Sequence, residues 1–291
     1  MTTTVPQFET AAGRPPASAL SPQSYAYLQS YIHRESGIVL DDDKQYLFAA
    51  RLLPLVQSEK LASLDELCDR VASGQAPLLA AQVTEAMTTN ETLFFRDAGI
   101  FETMKTIVFP MLLEATKGER KIRIWSAAAS TGQEAYSIAM SLLAIGARPN
   151  QVEIVATDLS EQVLTRARAG RYIQFEIGRG LPTPLLLKHF RKVGLDWQID
   201  DEVRSMVRFE KMDLRGSLNG IGPCDLVLCR NVLIYFNANT KRQVLASIAR
   251  TLHPAGLLVL GCAETLLNLD HGFERKQFGQ STFYAIRNMI F

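Results

Sequence analysis

Residues 89–97 read TNETLFFRD: a polar cluster (Thr89, Asn90, Glu91, Thr92) runs into Leu93, Phe94 and Phe95, and Arg96 and Asp97 follow at once. Further along, four short apolar runs each end in residues suited to hold a ligand. The first leads into Ala127-Ala128-Ala129-Ser130-Thr131-Gly132-Gln133-Glu134, a turn of small residues feeding a helix. Small side chains let a cofactor approach the backbone. The turn is not GxGxxG, and Glu134 would repel a phosphate, so a tight pyrophosphate cradle is not supported. Glu134 suits a positive amino group or a hydroxyl instead; as an ordinary feature it is a favourable first-turn acid.

The second run ends in Thr157-Asp158, a carboxylate placed to accept hydrogen bonds from two ribose hydroxyls, or to cap the helix that starts near Ser160. The third ends in Asp213-Leu214, a polar–apolar pair matched to the amino edge and the face of an adenine. The fourth ends in Arg230-Asn231 and continues Val232-Leu233-Ile234-Tyr235-Phe236. Asn231 and Tyr235 stand four apart, so on a helical turn they face the same way. Together these ends describe a nucleoside site. Without a phosphate cradle, S-adenosyl-L-methionine fits better than a dinucleotide. The sequence shows no Cys/His or Ser/His pairing, as expected if no protein nucleophile is needed. Methyl transfer is an in-line displacement from a sulfonium, helped mostly by positioning.

The elements that must position these residues follow from the apolar pattern. KIRIWSA (121–127), VEIVATD (152–158), VRFEKMD (207–213), CDLVLCRN (224–231) and GLLVLGCAE (256–264) read as central strands of a parallel sheet buried on both faces. Helical segments lie between them, such as Gln133 to Ile145 and Thr240 to Leu252. This alternation predicts a doubly wound α/β domain, in which ligands sit beyond the carboxyl ends of the strands. FERKQFG and STFYAIR, separated by so little chain, predict a terminal antiparallel hairpin. A five-strand parallel core closed by such a hairpin is the class I methyltransferase variant of the fold. Between Ala169 and Val207 there is too much chain for one crossover. An inserted subdomain is expected at about 182–206, with a helix over Pro182 to Phe190 and a small hairpin after it.

The first part of the chain has a different rhythm. Residues 1–19 are Thr/Ala/Pro-rich and predict a disordered tail. Residues 20–88 predict a small all-helical domain. Ser21-Pro22 opens its first helix and Gly37 closes it. A second helix starts near Asp43 and is kinked or ended by Pro54. Shorter helices fit Ser63 to Ala72 and Pro77 to Met87. Residues 89–104 read as a linker, and 105–291 as the methyltransferase domain.

Composition sets limits on function. The chain has 31 Lys+Arg against 30 Asp+Glu, a net charge of +1, which argues against whole-protein adhesion to nucleic acid or membrane. Four cysteines (Cys68, Cys224, Cys229, Cys262) form no CxxC and read as reduced core or near-core thiols. His33, His189, His253 and His271 are isolated, so no metal is expected. The first residues carry no signal-peptide pattern and no apolar run spans a bilayer, so a soluble cytoplasmic protein is expected.

TNETLFFRD, IWSAAASTGQEAYSIAM, ATDLS and CRNVLIYF, in this order and spacing, resemble the CheR family of chemotaxis receptor glutamate methyltransferases, over roughly residues 21–287. The resemblance implies a helical domain followed by a class I methyltransferase domain with a small β insertion. It also implies S-adenosylmethionine as donor and S-adenosyl-L-homocysteine as product. Its acceptors are glutamates on the cytoplasmic helical bundle of chemoreceptors, its product a glutamyl methyl ester. By the same resemblance, Asn90, Thr92 and Arg96 line the active site, and Phe94 and Phe95 pin the linker into the core. Arg96 would hold a carboxylate of the cofactor or of the substrate. Tyr235 would orient the acceptor or the methyl group. Cofactor contacts are expected from Glu134, Asp158, Asp213, Leu214, Arg230 and Asn231.

Departures are visible. Gln133 and Ala135 replace the Glu and Pro of the family's STGEEPYS, and Asp213 stands where some relatives have Asn. The inserted piece KVGLDWQIDDEV is short, with only Gly194, so dependence on a receptor tail pentapeptide is not expected. A basic stretch (Arg166, Arg168, Arg171, Arg179, Lys188, Arg191, Lys192) has only Glu161 and Glu176 nearby; it would steer an acidic partner or form a solvated face. Two other functions compete. Nucleic-acid amino-methylating enzymes carry an Asn/Asp-Pro-Pro-aromatic motif after the fourth strand, whereas RNVLIYF has no proline. A non-catalytic docking module is opposed by the presence of Asn90, Arg96, Asp158 and Tyr235.

Overall fold

The computed structural model describes residues 20–267, 269 and 272–287. The expected tail at 1–19 and His271 lie outside the described residues. The described residues divide into two compact units: 20–35 with 40–87, and 36–39 with those from 88 onward.

In the first unit, Ser21 starts α1 (Pro22–Ser36) by accepting the Ser24 N–H on its hydroxyl. Gly37, at φ +77°, follows the last residue of that helix in the left-handed conformation open to glycine. α2 (Gln45–Ser58) buries Phe48, Leu52 and Val56. Pro54 lies inside it and does not end it: the helix continues to Ser58. Ser63 caps α3 (Leu64–Ala72) by accepting the Glu66 N–H, and Glu66 accepts the Ala62 N–H in return. α4 (Pro77–Met87) buries Leu79, Val83 and Met87.

The second unit begins with α5 (Ala98–Thr103) and α6 (Phe109–Thr116), joined by a π-helical turn over Met104–Val108. The α/β alternation follows: β1 (Ile122–Ala127), α7 (Gln133–Ala144), β2 (Val152–Asp158), α8 (Glu161–Ala169). The insertion holds β3 (Arg171–Ile173), α9 (Gln174–Ile177), α10 (Thr183–His189), β4 (Phe190–Val193), β5 (Asp196–Ile199) and α11 (Asp201–Ser205). The chain ends with β6 (Val207–Lys211), β7 (Cys224–Cys229), α12 (Ala238–Thr251), β8 (Leu252–Leu260), β9 (Phe273–Phe278) and β10 (Ser281–Ile286).

Seven strands form one sheet in the order β6-β2-β1-β7-β8-β10-β9. β6, β2, β1, β7 and β8 pair in parallel; β10 is antiparallel to both β8 and β9. This is the expected parallel core closed by a hairpin. β7 is buried at every position: its apolar residues pack on both faces, and its one charged residue, Asp225, is paired with Arg120. Alternation splits the strands between two cores. Ile122, Ile124, Ile154, Ala156, Leu226 and Leu228 face one; Trp125, Ala127, Val155, Val227 and Cys229 face the other.

The insertion is larger than 182–206. Its three-stranded sheet, β3-β5-β4, takes its first strand from Arg171–Ile173. Three residues of strand carry too little periodicity to be recognised in a sequence. Tyr172 in β3 is fully buried, and its hydroxyl donates to the Thr131 carbonyl (2.8 Å). Phe94 packs edge-on against Tyr172 and Phe190, with ring centroids 5.0 and 5.6 Å away. A Cβ at Gly180 would lie 2.1 Å from the Phe94 carbonyl, so only glycine lets the insertion close over the linker there. The insertion thus braces both the linker and the turn after β1.

Candidate functional site

The order of strands reverses between β1 and β7, and a cleft opens at the carboxyl ends of the strands around that switch. It encloses about 920 Å³, counting its mouth. Asn90, Thr92, Arg96, Glu134, Asp158, Asp213, Leu214, Arg230, Asn231 and Tyr235 all line it. Their roles differ in ways the sequence did not show.

Asp158 ends β2 and is buried. Its Oδ2 accepts the Ser130 N–H (2.8 Å) and its Oδ1 the Ser160 N–H (3.0 Å). It is not the cap of α8; Ser160 is, accepting the Val163 N–H on its own hydroxyl. Asp158 therefore draws in the turn after β1, where Ala128 and Ser130 hold φ of +61° and +51°. Ser130 in turn donates its hydroxyl to the Asn90 carbonyl (2.7 Å), and Asn90 donates its side-chain amide to Thr88 Oγ1 (3.0 Å). The linker, the β1 turn and the β2 end are thus one hydrogen-bonded unit.

Arg230 is buried to 1% exposure of its side chain. Its guanidinium donates to Glu134 (2.8 Å), Asp97 (2.5 Å) and the Arg96 carbonyl (2.8 Å). Burial alone would lower its pKa, but the Glu134 and Asp97 carboxylates outweigh burial and hold it above its ordinary value. Its Nε has no partner among the described residues. Arg96 and Asp97, though adjacent, form no ion pair with each other; Asp97 is taken by Arg230. Glu134 also accepts the Ser126 hydroxyl (2.8 Å).

Arg96 stands differently. The one hydrogen bond of its side chain is a long one to the Glu91 carbonyl (3.4 Å), and no carboxylate lies within ion-pairing distance among the described residues. Glu91 pairs with Arg179 instead (2.7 Å). Asp213 is bridged by Arg215, which donates from Nε and Nη2 (2.6 Å at the shortest), so its carboxylate is already partly neutralised. Asn231 holds φ +58°, and Tyr235 closes a short 3₁₀ turn over Leu233–Tyr235. The two do not share an α-helical face, as their spacing had suggested, yet both reach the cleft.

Sequence reasoning missed residues 36–39. Ser36 and Ile38 line the cleft, and the Val39 N–H donates to the Tyr235 carbonyl (2.9 Å). A Cβ at Gly37 would lie 2.7 Å from Arg215 Cδ. The only signal was Gly37, which also serves as a helix terminator. Among the described residues, five of the seven non-glycine residues with positive φ (Phe95, Asp97, Ala128, Ser130, Asn231) lie in the three segments that build this site, where backbone strain commonly gathers.

Among the described residues, no histidine lines the cleft. Burial pushes the Cys224 thiol up to about 12 and holds Cys229 well above its ordinary value; Cys262, exposed rather than near-core, is raised by burial and by Asp97. No thiolate is therefore available at neutral pH. No cluster of metal-binding side chains occurs among the described residues. The donor set suits S-adenosylmethionine: a small-residue turn, a buried acid at the second strand, an apolar wall at Leu214, and no phosphate cradle.

A parallel sheet with a reversed terminal strand, carrying this cleft at its switch point, defines a class I S-adenosylmethionine-dependent methyltransferase. Residues 90–281 match the CheR methyltransferase SAM-binding domain, and residues 23–88 the CheR methyltransferase all-alpha domain. The chain belongs to the CheR methyltransferase family. It is 42% identical to chemotaxis protein methyltransferase 1 of Pseudomonas aeruginosa, over 88% of this chain and 95% of that one. It is 39% identical to the chemotaxis protein methyltransferase of Vibrio parahaemolyticus, over 93% and 99%. It is also 39% identical to chemotaxis protein methyltransferase Cher2 of Pseudomonas putida, over 88% and 95%.

Proposed function

We propose that this chain methylates glutamate side chains on the cytoplasmic helical bundle of chemoreceptors, forming glutamyl methyl esters. The observation that carries the reading is Arg96. Around it the charged groups are matched: Arg230 with Glu134 and Asp97, Asp213 with Arg215, Glu91 with Arg179. Arg96 lines the cleft as a cation without a carboxylate partner among the described residues. A guanidinium so placed offers a planar fork to an incoming carboxylate.

S-adenosylmethionine, when bound, supplies a methyl group on a positively charged sulfonium. The chain's residues bind and orient. Asp158 faces the ribose hydroxyls, Asp213 and Leu214 the adenine. Glu134, steadied by Arg230 and Ser126, keeps acceptor positions for an amino group. Arg96 aligns the acceptor carboxylate, and Tyr235 and Asn231 close the wall beside it. A glutamate has an ordinary pKa of about 4.3, so it is already ionised at neutral pH and needs no base. Among the described residues, the cleft lining offers neither a histidine nor a cysteine as a base. Positioning is the main source of rate in such a displacement.

The protein acts in the cytoplasm and does not need a receptor tail peptide, since β4 and β5 join through a two-residue turn at Gly194-Leu195. No helix among the described residues is long and apolar enough to cross a membrane. The test is transfer of labelled methyl from S-adenosylmethionine to a chemoreceptor cytoplasmic fragment, wild type against Arg96→Ala. Base-labile label that the substitution abolishes is the expected result. Calorimetric binding of S-adenosylhomocysteine without any transfer would leave a methyltransferase with another acceptor, or a docking protein. Tight binding of a receptor C-terminal peptide to the full chain would refute independence from the tether.

A further inference from the structure

Asn231 is held in the left-handed conformation at the wall of the cleft, and its own turn supplies no acceptor for its N–H. The acceptor comes from the end of the next strand. Glu264, four residues past the end of β8, turns its carboxylate back across the sheet end. Its Oε2 accepts the N–H of Asn231 (2.7 Å) and of Gly261 (2.8 Å), and its Oε1 accepts the N–H of Val232 (3.0 Å). Two successive N–H groups pointing into one concavity form an anion-binding nest. Here the protein fills the nest with its own carboxylate. Glu264 does not line the cleft itself, whereas Asn231, Val232 and Tyr235 do.

Gly261 completes the arrangement. A Cβ there would lie 2.7 Å from the Asn231 side-chain amide nitrogen and 2.9 Å from Glu264 Oε2. The bare backbone at 261 leaves the Asn231 amide and the Glu264 carboxylate room to pack together. We propose that Glu264 is a positioning residue for this enzyme: with Gly261, it sets the Asn231–Val232 turn, and so the wall the cofactor meets. The proposal rests on the cleft being the S-adenosylmethionine site. It needs the carboxylate, since an amide presents one acceptor oxygen and sets an NH2 group against an N–H donor. A shorter Asp is one methylene short of the three donors.

The test is calorimetric affinity for S-adenosylhomocysteine in a double-mutant cycle on the full chain. Glu264→Gln leaves at least one buried N–H unpaired, and should weaken binding about tenfold or more while moving Tm by only a few degrees. If it acts through Asn231, then in an Asn231→Ala background the same change should cost under about threefold further. A purely structural role would lower Tm and leave affinity per folded molecule unmoved, and that result overturns the proposal; so does full additivity. Gly261→Ala, which keeps the carboxylate, should weaken binding with the same non-additivity, and serves if Glu264→Gln does not fold. Asp158→Asn separates the two levels. If it weakens binding and Glu264→Gln does not, positioning by Glu264 is wrong and the site stands. If the wild-type protein does not bind S-adenosylhomocysteine at all, both fall.

Discussion

Strand β7 carries an ion-paired cluster at each end, and the two are built differently. At its start, Asp225 is buried and accepts both Nη atoms of Arg120 (2.8 and 2.6 Å) and the Arg123 N–H (2.8 Å). The Arg120 side chain is 44% exposed and stays in contact with water. Just past the other end, Arg230 is the buried partner at 1% exposure, and its carboxylates come from two other segments, the linker and α7. The first cluster ties neighbouring strands of a scaffold. The second ties three pieces of chain that must meet for the cleft to exist. The buried member at the scaffold end is a carboxylate satisfied by backbone and a hydrated arginine. At the site end it is a cation whose loss strands two carboxylates.

That contrast orders the expected effects. The largest is Arg230→Met, which leaves Glu134 and Asp97 without their cation. It should destabilise the fold by about 3–5 kcal/mol in denaturant titration. It should also remove calorimetric binding of S-adenosylhomocysteine, because the linker loses its anchor. Retained affinity would break the comparison.

Asp225→Asn should cost less, about 1–3 kcal/mol, since Arg120 can turn to solvent. Cofactor affinity per folded molecule should not change. A loss of affinity would mean that the two ends are coupled through β7.

The same carboxylate gives a pH signature. Burial would raise the Asp225 pKa, but Arg120 and the Arg123 N–H outweigh burial and hold it below its ordinary value. A depressed folded pKa stabilises above the unfolded value of about 3.9 and loses that stability as pH falls through the folded value. Wild-type stability should therefore fall more steeply below about pH 4 than that of Asp225→Asn. Parallel profiles from chemical unfolding would assign acid lability elsewhere.

The smallest effect is expected at the surface. Of the seven basic residues of the stretch near the insertion, Arg166, Arg168 and Arg179 are paired with Glu176, Glu161 and Glu91. Arg171 is exposed and belongs to none of these pairs. Arg171→Glu should leave Tm within a degree or two. It should slow receptor methylation at low salt, with the difference shrinking as salt is added. Equal initial rates at every ionic strength would make that face a solvated one.

How much was legible depends on the range over which each feature is specified. The buried strands announced themselves because a strand covered on both faces must be mostly apolar, as CDLVLC is apart from Asp225. The residues at their carboxyl ends could then be assigned to one cleft, since a doubly wound sheet gathers those ends at its switch point. The linker's aromatics were legible as core anchors, and Phe94 is one. What escaped were features specified by a partner far along the chain. Arg230 read as a cofactor contact, but its guanidinium is taken up by residues more than ninety positions earlier. Tyr172 sat in a strand too short to recognise. Residues 36–39 looked like the gap between two helices, and Glu264 like the polar end of a strand.

The sequence by itself determined the order of the main-sheet strands, their two-sided burial and the cleft-lining side chains at the strand ends. These depend on local periodicity and on a topology with few alternatives. Only the tertiary structure decided which charges cancel and which remain for a ligand. Arg96 and Arg230 are the same residue type at equivalent-looking positions. One is neutralised by Glu134 and Asp97, and the other faces the cleft. That difference comes from distances between segments far apart in the chain, which no local pattern of residues encodes.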